Sequence, residues 1–188
     1  MSSLNSLPTP ATRRLGLLAL GLATLLPMLG GSLANMVLPA LGQAFAVPFA
    51  SLQWVLVAYL LGITCLTVVA GRLGDRFGRR RLLLLGLGLF ALASLLCALA
   101  PTIGWLIAAR ALQGIAAACM LSLALAMLGQ LVPPARRGWG MGLLGTLSAC
   151  GTALGPSFGG LLTAGFGWQA PFLLLVPLSQ LALGCARL

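Results

Sequence analysis

The stretch "GRLGDRFGRRR", residues 71–81, separates two long apolar runs and contains Asp75, the only acidic residue of the chain. The 188-residue chain has 11 basic residues, all of them arginine, and no histidine, and 60% of its residues are hydrophobic. A soluble domain needs a charged surface, which 6% charged residues do not provide. The composition therefore predicts a membrane protein. It argues against a nucleic-acid partner, because the arginines are scattered in short patches between apolar runs.

Six apolar runs are each long enough to cross a bilayer, which takes about 20 residues as a helix. They are interrupted by charged residues or by glycine- and proline-containing turns. The sequence therefore predicts an all-α polytopic membrane protein, with an N-terminal tail over residues 1–14 and a six-helix transmembrane bundle over 15–188. The predicted spans are about 15–40, 53–71, 82–100, 104–129, 139–165 and 169–186.

The arginines predict the orientation of these spans. All except Arg110 precede the first span, lie in alternate loops or follow the last span, and the opposite loops carry no charge. By the positive-inside rule, we expect a multi-pass protein of the inner membrane with both termini in the cytoplasm. The alternative for the first run is a cleaved signal peptide ending near "AFA" at 44–46. That run is too long, and its removal would place the arginines on the wrong side.

The opening stretch has glycines that favour close approach and a sharp turn, at Gly71, Gly74 and Gly78. The arginines at 79–81 can reach anionic headgroups at the start of the third span. The orientation of the spans accounts for the arginines but gives no reason for Asp75. A lone carboxylate among guanidinium groups can form charge-assisted pairs that join two helix ends. If such a pair breaks and re-forms with conformation, it acts as a latch.

This stretch resembles the cytoplasmic loop signature of the major facilitator superfamily, G-x-L-x-D-R-x-G-R-[RK]-x, between the second and third helices. In that family the loop is implicated in switching between inward- and outward-facing states. The resemblance implies that the stretch is a gating loop, whose residues here are Gly71, Gly74, Asp75, Arg76, Gly78, Arg79 and Arg80.

Arg110 is a charged residue within the fourth span, where burial in hydrocarbon is costly, so it is predicted to face a water-filled cavity or a partner. The alternative is an arginine near a helix end that snorkels outward. Gln113 and Gly114 share its helix face, and a polar pair beside a small residue is expected in a cavity wall. Asn35 and Tyr59 lie at similar depth, and we expect a polar cluster lining the outer half of a cavity. For Asn35 and Tyr59 the alternative is a simple hydrogen bond to a neighbouring helix.

The stretch around Arg110, "LIAARALQGIAAA", resembles the fourth-helix signature of drug:proton antiporters within the same superfamily. The resemblance implies a role for Arg110 in proton coupling.

The stretch "GTALGPSFGG" in the fifth span contains glycines spaced four apart, which form a groove for a neighbouring helix. The proline among them removes a backbone hydrogen bond and is expected to bend the helix. The stretch resembles the antiporter signature of the superfamily, G-x-x-x-G-P-x-x-G-G, which implies export. Its residues here are Gly151, Gly155, Pro156, Gly159 and Gly160.

The stretch "LGGSLANMVLP" at 29–39, in the first span, resembles the first-span signature of the multidrug branch with fourteen helices. In this chain Gly30 stands where that signature has an aspartate. No predicted span contains a carboxylate or a histidine, so proton coupling would need an acid elsewhere. The resemblance also implies two six-helix halves around a shared site. We therefore expect this chain to be the N-terminal half of the major facilitator fold, with a missing C-terminal half or second chain as partner. Alone, its cavity face would meet lipid, so helices of that partner are expected to enclose Arg110.

These observations predict a secondary active transporter in the lipid bilayer that exports drugs or other small molecules by alternating access, with protons as a candidate coupled ion. No catalytic constellation, cofactor or metal site is expected, and the five cysteines are interpreted as apolar helix residues. The alternatives are a truncated, non-transporting fragment and a helix-packing partner protein. A homodimeric pore is disfavoured because two copies of Arg110 would repel each other.

Overall fold

The computed structural model describes the backbone of residues 10–187 and the side chains of 15–187, so most of the predicted N-terminal tail lies outside the described residues. Over the described range the chain is helical and contains no strand. A short 3₁₀ turn at Pro134–Arg136 precedes the fifth helix. The six helices are α1 (Pro10–Phe45), α2 (Phe49–Phe77), α3 (Arg79–Ala98), α4 (Ile103–Leu131), α5 (Arg137–Phe166) and α6 (Ala170–Arg187).

The helices extend beyond most of the predicted spans, because polar and charged residues at their ends continue the helix past the apolar run. Among the described residues, five helices are long and apolar enough to cross a membrane, judged by length and composition. The exception is α5, whose many glycines contribute little hydropathy. Residues 99 and 100 lie beyond the end of α3, and residue 169 precedes α6.

The connection between α2 and α3 differs from the loop predicted over 71–81. Helix α2 continues to Phe77, and Gly78 alone separates it from α3. Gly78 has φ 96°, which residues with a side chain rarely adopt, so a glycine is needed at this turn. The expectation of a loop containing Gly71 and Gly74 was wrong, because leucine and arginine between them are good helix formers. Gly74 does allow close approach, to Leu123 of α4, whereas Gly71 faces open space.

The bundle consists of two sets of three consecutive helices, α1 to α3 and α4 to α6. Each helix of one set contacts the other set in the same way as its counterpart does. Helix α1 packs on α5 as α4 packs on α2, and α3 packs on α4 as α6 packs on α1. Such internal repeats are typical of secondary transporters. Apolar side chains from α1, α3 and α4, including Leu26, Phe90 and Met120, form the main core. Helices α2 and α5 leave large apolar faces exposed, with Leu60 and Leu161 among them.

Candidate functional site

Arg110 lies inside the bundle and is 0% exposed. It projects from α4 towards α1 and α2, and the ring of Phe172 from α6 lies 5.9 Å from its guanidinium carbon. The ring of Tyr59 on α2 is closer, with its centroid 4.1 Å from that carbon, which is within the range of a cation–π contact. The helices of this bundle therefore enclose the guanidinium themselves. The expectation that helices of a missing counterpart are required to shield Arg110 was wrong, because α1, α2, α4 and α6 already do so.

The hydrogen bonds of Arg110 connect three helices. Its Nε donates to the carbonyl of Val55 on α2 over 3.3 Å, and its Nη1 donates to the carbonyl of Gly30 on α1 over 3.4 Å. A shorter bond of 2.5 Å runs from Nη1 to Oε1 of Gln113, one turn further along α4. The remaining nitrogen, Nη2, is buried and has no partner among the described residues.

Gln113 extends this network away from Arg110. Its Nε2 donates to the hydroxyl of Ser94 on α3 over 2.7 Å, and that hydroxyl donates to the carbonyl of Phe90 over 2.7 Å. Gln113 and Ser94 are both fully buried. Buried polar groups that bond one another in this way fix side-chain orientation, so Gln113 holds the guanidinium in place. It does not line the cleft described next.

A cleft of about 280 Å³ opens beside Arg110. Its walls come mainly from α1 and α2, with one residue each from α4 and α5, and they include Asn35, Tyr59 and Arg110 of the predicted polar cluster. Tyr59 is almost fully buried and its hydroxyl donates to the carbonyl of Pro27 over 2.6 Å. Asn35 is exposed, and its amide bonds weakly, at 3.4 Å, to the Gly31 carbonyl of its own helix. The structure thus brings Arg110, Tyr59 and Asn35 to one cleft.

Gly114 was expected to belong to the cavity wall, and the structure places it elsewhere. It lies at the crossing of α4 and α2, where an added Cβ would overlap the backbone carbonyl of Tyr59. On the opposite helix, a Cβ on Gly62 would lie 2.8 Å from the Ala111 carbonyl oxygen. The two glycines let the helix backbones approach closely. This contact fixes the position of Tyr59 relative to Arg110.

The glycines of α5 lie against α1. A Cβ on Gly151 would lie 2.6 Å from the carbonyl oxygen of Leu25, and one on Gly155 would overlap the side chain of Ser32. A Cβ on Gly159 would lie 3.1 Å from that of Met36, whereas Gly160 faces open space. Three of the four motif glycines therefore form the contact with α1, and the fourth does not.

Pro156 lies within α5, which remains helical through it. A proline has no N–H, so the carbonyl four residues earlier, that of Thr152, loses its helical donor. The hydroxyl of Ser32 on α1 donates to this carbonyl over 2.8 Å. A side chain of a neighbouring helix thus satisfies the backbone group that proline leaves free.

The charged residues of the opening stretch lie at one end of the bundle. Oδ1 of Asp75, in the last turn of α2, accepts from Arg79, the first residue of α3, over 2.7 Å and 2.9 Å. Arg79 also donates to the carbonyl of Ala126 on α4 over 3.0 Å. Arg80 donates to the carbonyls of Ala186 and Arg187 at the end of α6. The stretch therefore ties together the ends of α2, α3, α4 and α6, while Arg76 lines the surface depression above them.

Several residues of the site were not predicted from the sequence. Ser94, Gly62 and the Ser32–Thr152 pair each depend on which helices are neighbours, and a single span carries no such signal. A serine four residues after Phe90 is common in apolar helices and has no distinctive spacing. The Ser32–Thr152 bond had one usable signal, since a proline inside a span predicts a free carbonyl four residues before it.

Comparison with known proteins covers most of the chain. Residues 20–188 match the family model described as Major Facilitator Superfamily. The chain is 37% identical over 173 residues to the multidrug resistance protein Stp of Mycobacterium tuberculosis (strain CDC 1551 / Oshkosh), which is 92% of this chain and 32% of Stp. It is 41% identical over 175 residues to the puromycin resistance protein pur8 of Streptomyces alboniger, which is 92% of this chain and 35% of pur8.

A third relative, the riboflavin transporter RibZ of Clostridioides difficile (strain 630), is 30% identical over 154 residues, which is 82% of this chain and 34% of RibZ. The chain therefore spans about a third of the length of these curated relatives.

Proposed function

The chain belongs to the Major Facilitator Superfamily, and we propose that it acts as the N-terminal six-helix bundle of a secondary carrier that exports small molecules by alternating access. The names of Stp and pur8 describe resistance to drugs, which supports export as the direction of transport. The name of RibZ describes a transporter of riboflavin, so the substrate class is left open as small organic molecules. We assign no catalytic activity to this chain.

The observation that carries this proposal is a buried cation beside an open cleft. Arg110 is 0% exposed, yet it contributes to a cleft that also contains the polar side chains of Ser32, Asn35 and Tyr59. Ionisable residues inside membrane spans are rare and mark substrate or ion pathways. We propose that the cleft is part of the transport path and that Gln113 and Tyr59 orient the guanidinium within it.

The remaining motif residues take conformational roles in this proposal. The glycines of α5 let its backbone approach α1 closely, and we propose that the two helices shift along this contact. The Asp75–Arg79 pair is exposed, with 63% and 31% of the side chains accessible, so it can break and re-form at low cost. We propose that it acts as the latch of one state. The arginine-rich end faces the cytoplasm and the carrier lies in the inner membrane.

Proton coupling remains an open part of the proposal. The only acidic residue of the chain is Asp75, which lies at the charged end and outside the cleft. An arginine does not release its proton at physiological pH. If export is driven by protons, the titrating acid must come from a part of the carrier outside these 188 residues.

Substituting Arg110 tests the proposal. In the carrier that contains this bundle, we expect Arg110→Ala and Arg110→Lys to lower efflux of a cationic dye by about tenfold or more. A hydrogen bond to a charged group contributes about 1.5–3 kcal/mol, and a lysine cannot form the same forked contacts. Leu92→Ala, at an exposed position of α3, is the control. Immunoblotting of membranes checks insertion, and normal efflux by inserted Arg110→Ala would refute the role.

The second candidate function is a helix-packing partner without transport, which the exposed apolar faces of α2 and α5 favour. Expressing residues 1–188 alone addresses it. We expect no drug resistance from this chain, because one bundle supplies only one side of the transport path. Resistance conferred by the isolated chain would contradict the proposed half-carrier and would show that copies of this bundle suffice.

A further inference from the structure

Arg110 is a buried cation without a counter-ion in this bundle. The hydroxyl- and amide-bearing side chains buried within the described residues are Thr24, Tyr59, Ser94, Gln113 and Ser179, and all of them are neutral. The only carboxylate side chain of the chain, that of Asp75, is exposed and bonded to Arg79. A buried cation is normally paired with an opposite charge, which offsets the loss of its hydration. The neutralising group must therefore be an anion that this chain does not supply.

The unpaired nitrogen of Arg110 is a second and independent indication. Nη2 is buried and has no partner among the described residues, whereas Nε and Nη1 are both bonded. A buried donor without a partner is rare in native structures and asks for a specific explanation. The bonds to the carbonyls of Val55 and Gly30 are long, at 3.3 Å and 3.4 Å, so these two contacts are weak and leave the guanidinium able to bond a further partner.

The cleft beside Arg110 has room for such a partner. Its volume of about 280 Å³ is far above the roughly 10–15 Å³ that a cavity needs to hold one water molecule. Ser32 and Asn35 in its wall are polar and uncharged, so they can bind an anion's remaining hydration shell without repelling it. The ring of Tyr59 stabilises the cation from 4.1 Å but carries no net charge.

We propose that Arg110 and this cleft form a binding site for a monovalent anion, taken either as a halide ion from solution or as the carboxylate group of a transported molecule. The proposal deepens the proposed function, because it names the charge that the cleft of the carrier accepts. It does not depend on transport, since anion binding can be measured on the purified chain. Failure of export and failure of anion binding are therefore distinguishable.

Gly30 offers a direct way to test the proposal with an internal carboxylate. A Cβ at Gly30 would point between the side chains of Leu175 and Phe90, 3.2 Å and 3.3 Å away, and would lie 4.0 Å from Nε2 of Gln113. Since Oε1 of Gln113 bonds Arg110, an aspartate at position 30 would bring a carboxylate to the buried network that holds the guanidinium, where it can offset the positive charge. Gly30→Ala imposes the same Cβ without the charge and is the matched control.

The measurement is the thermal unfolding temperature of the 188-residue chain in detergent. Sodium chloride or sodium formate is titrated into the sample, and the same titration of Arg110→Gln gives the general effect of salt, which is subtracted. An anion that binds only the folded state raises the unfolding temperature in a saturable way. We expect a rise of about 2–4 °C or more for the unsubstituted chain and for Gly30→Ala. Gly30→Asp is expected to show no rise, since its own carboxylate offsets the charge of Arg110 and removes the attraction for a second anion.

The response to each anion identifies its source. A rise with chloride alone supports a halide site, a rise with formate alone supports a substrate carboxylate, and a rise with both supports a site that takes either. The proposal is overturned if neither anion stabilises the unsubstituted chain, or if Gly30→Asp responds as strongly as Gly30→Ala. Arg110→Gln is the second variant, and an undiminished response in that chain also overturns the proposal.

Discussion

Gly155→Ala is expected to destabilise the bundle although alanine is the better helix former. The added Cβ would overlap the side chain of Ser32 on α1, and Gly155 is buried in that contact. Overpacking of this kind costs about 1–3 kcal/mol. Displacing Ser32 also weakens its bond to the Thr152 carbonyl, at about 0.6 kcal/mol for an interhelical bond in a membrane protein. Replacing glycine in a helix returns about 0.5–1 kcal/mol.

The net expectation for Gly155→Ala is a loss of about 1–3 kcal/mol, equivalent to about 2–12 °C in unfolding temperature for a chain of this size. Gly160→Ala is the matched control, because Gly160 belongs to the same motif and the same helix but has no atom within 4 Å of its Cβ position. It is expected to gain up to about 1 kcal/mol.

The assay is thermal unfolding of both variants in detergent micelles. Loss of helix is followed by circular dichroism at 222 nm. The two substitutions are chemically identical, so helix propensity cancels in the comparison. Opposite signs for the two variants support close packing of α5 on α1. Equal shifts, or a gain in stability for Gly155→Ala, would refute the argument from the glycine contact.

Three further substitutions test other contacts. Gly62→Ala should lower the unfolding temperature, because the added Cβ would lie 2.8 Å from the Ala111 carbonyl oxygen. Gly88→Ala, where the Cβ enters open space, should not lower it. An unchanged unfolding temperature for Gly62→Ala would contradict the close crossing of α2 and α4. Ser32→Ala should cost about 0.6–1.7 kcal/mol in chemical unfolding, and the same change at Ser122, which bonds only within its own helix, should cost less. Asp75→Asn should cost no more than about 1 kcal/mol and less in 1 M salt, so a large, salt-independent loss would contradict an exposed ion pair.

The helical fold could be predicted from the sequence because its signals are local. Each apolar run is long enough to span a bilayer, and the arginines in alternate loops indicate the direction in which each span crosses. Neither inference requires knowing which helices pack against one another. The end of α2 was predicted less well. The apolar run stops near residue 71, but the helix continues to Phe77, because helix formation depends on backbone hydrogen bonds and not on hydropathy.

The candidate site could be predicted only in part. Arg110 was identified because a charge in an apolar span is costly wherever it lies, and Tyr59 and Asn35 because they lie at similar depth. The role of Gly114 was misjudged, since sharing a helix face with Arg110 does not reveal that α2 crosses there. Enclosure of Arg110 by its own bundle also depends on the packing of α1, α2 and α6 around α4, which the sequence of one helix does not encode.

The most direct test concerns the cleft that carries the guanidinium of Arg110. In a chain whose five cysteines are replaced by alanine, Asn35→Cys and Leu92→Cys are compared in membranes with an anionic, membrane-impermeant thiosulfonate reagent. Asn35 lies in the cleft wall, whereas Leu92 is an exposed apolar residue of α3. We predict modification of Asn35→Cys that slows when Arg110 is replaced by glutamine, and little modification of Leu92→Cys. Equal rates at the two positions, or no effect of Arg110, would contradict a water-filled cleft governed by that charge.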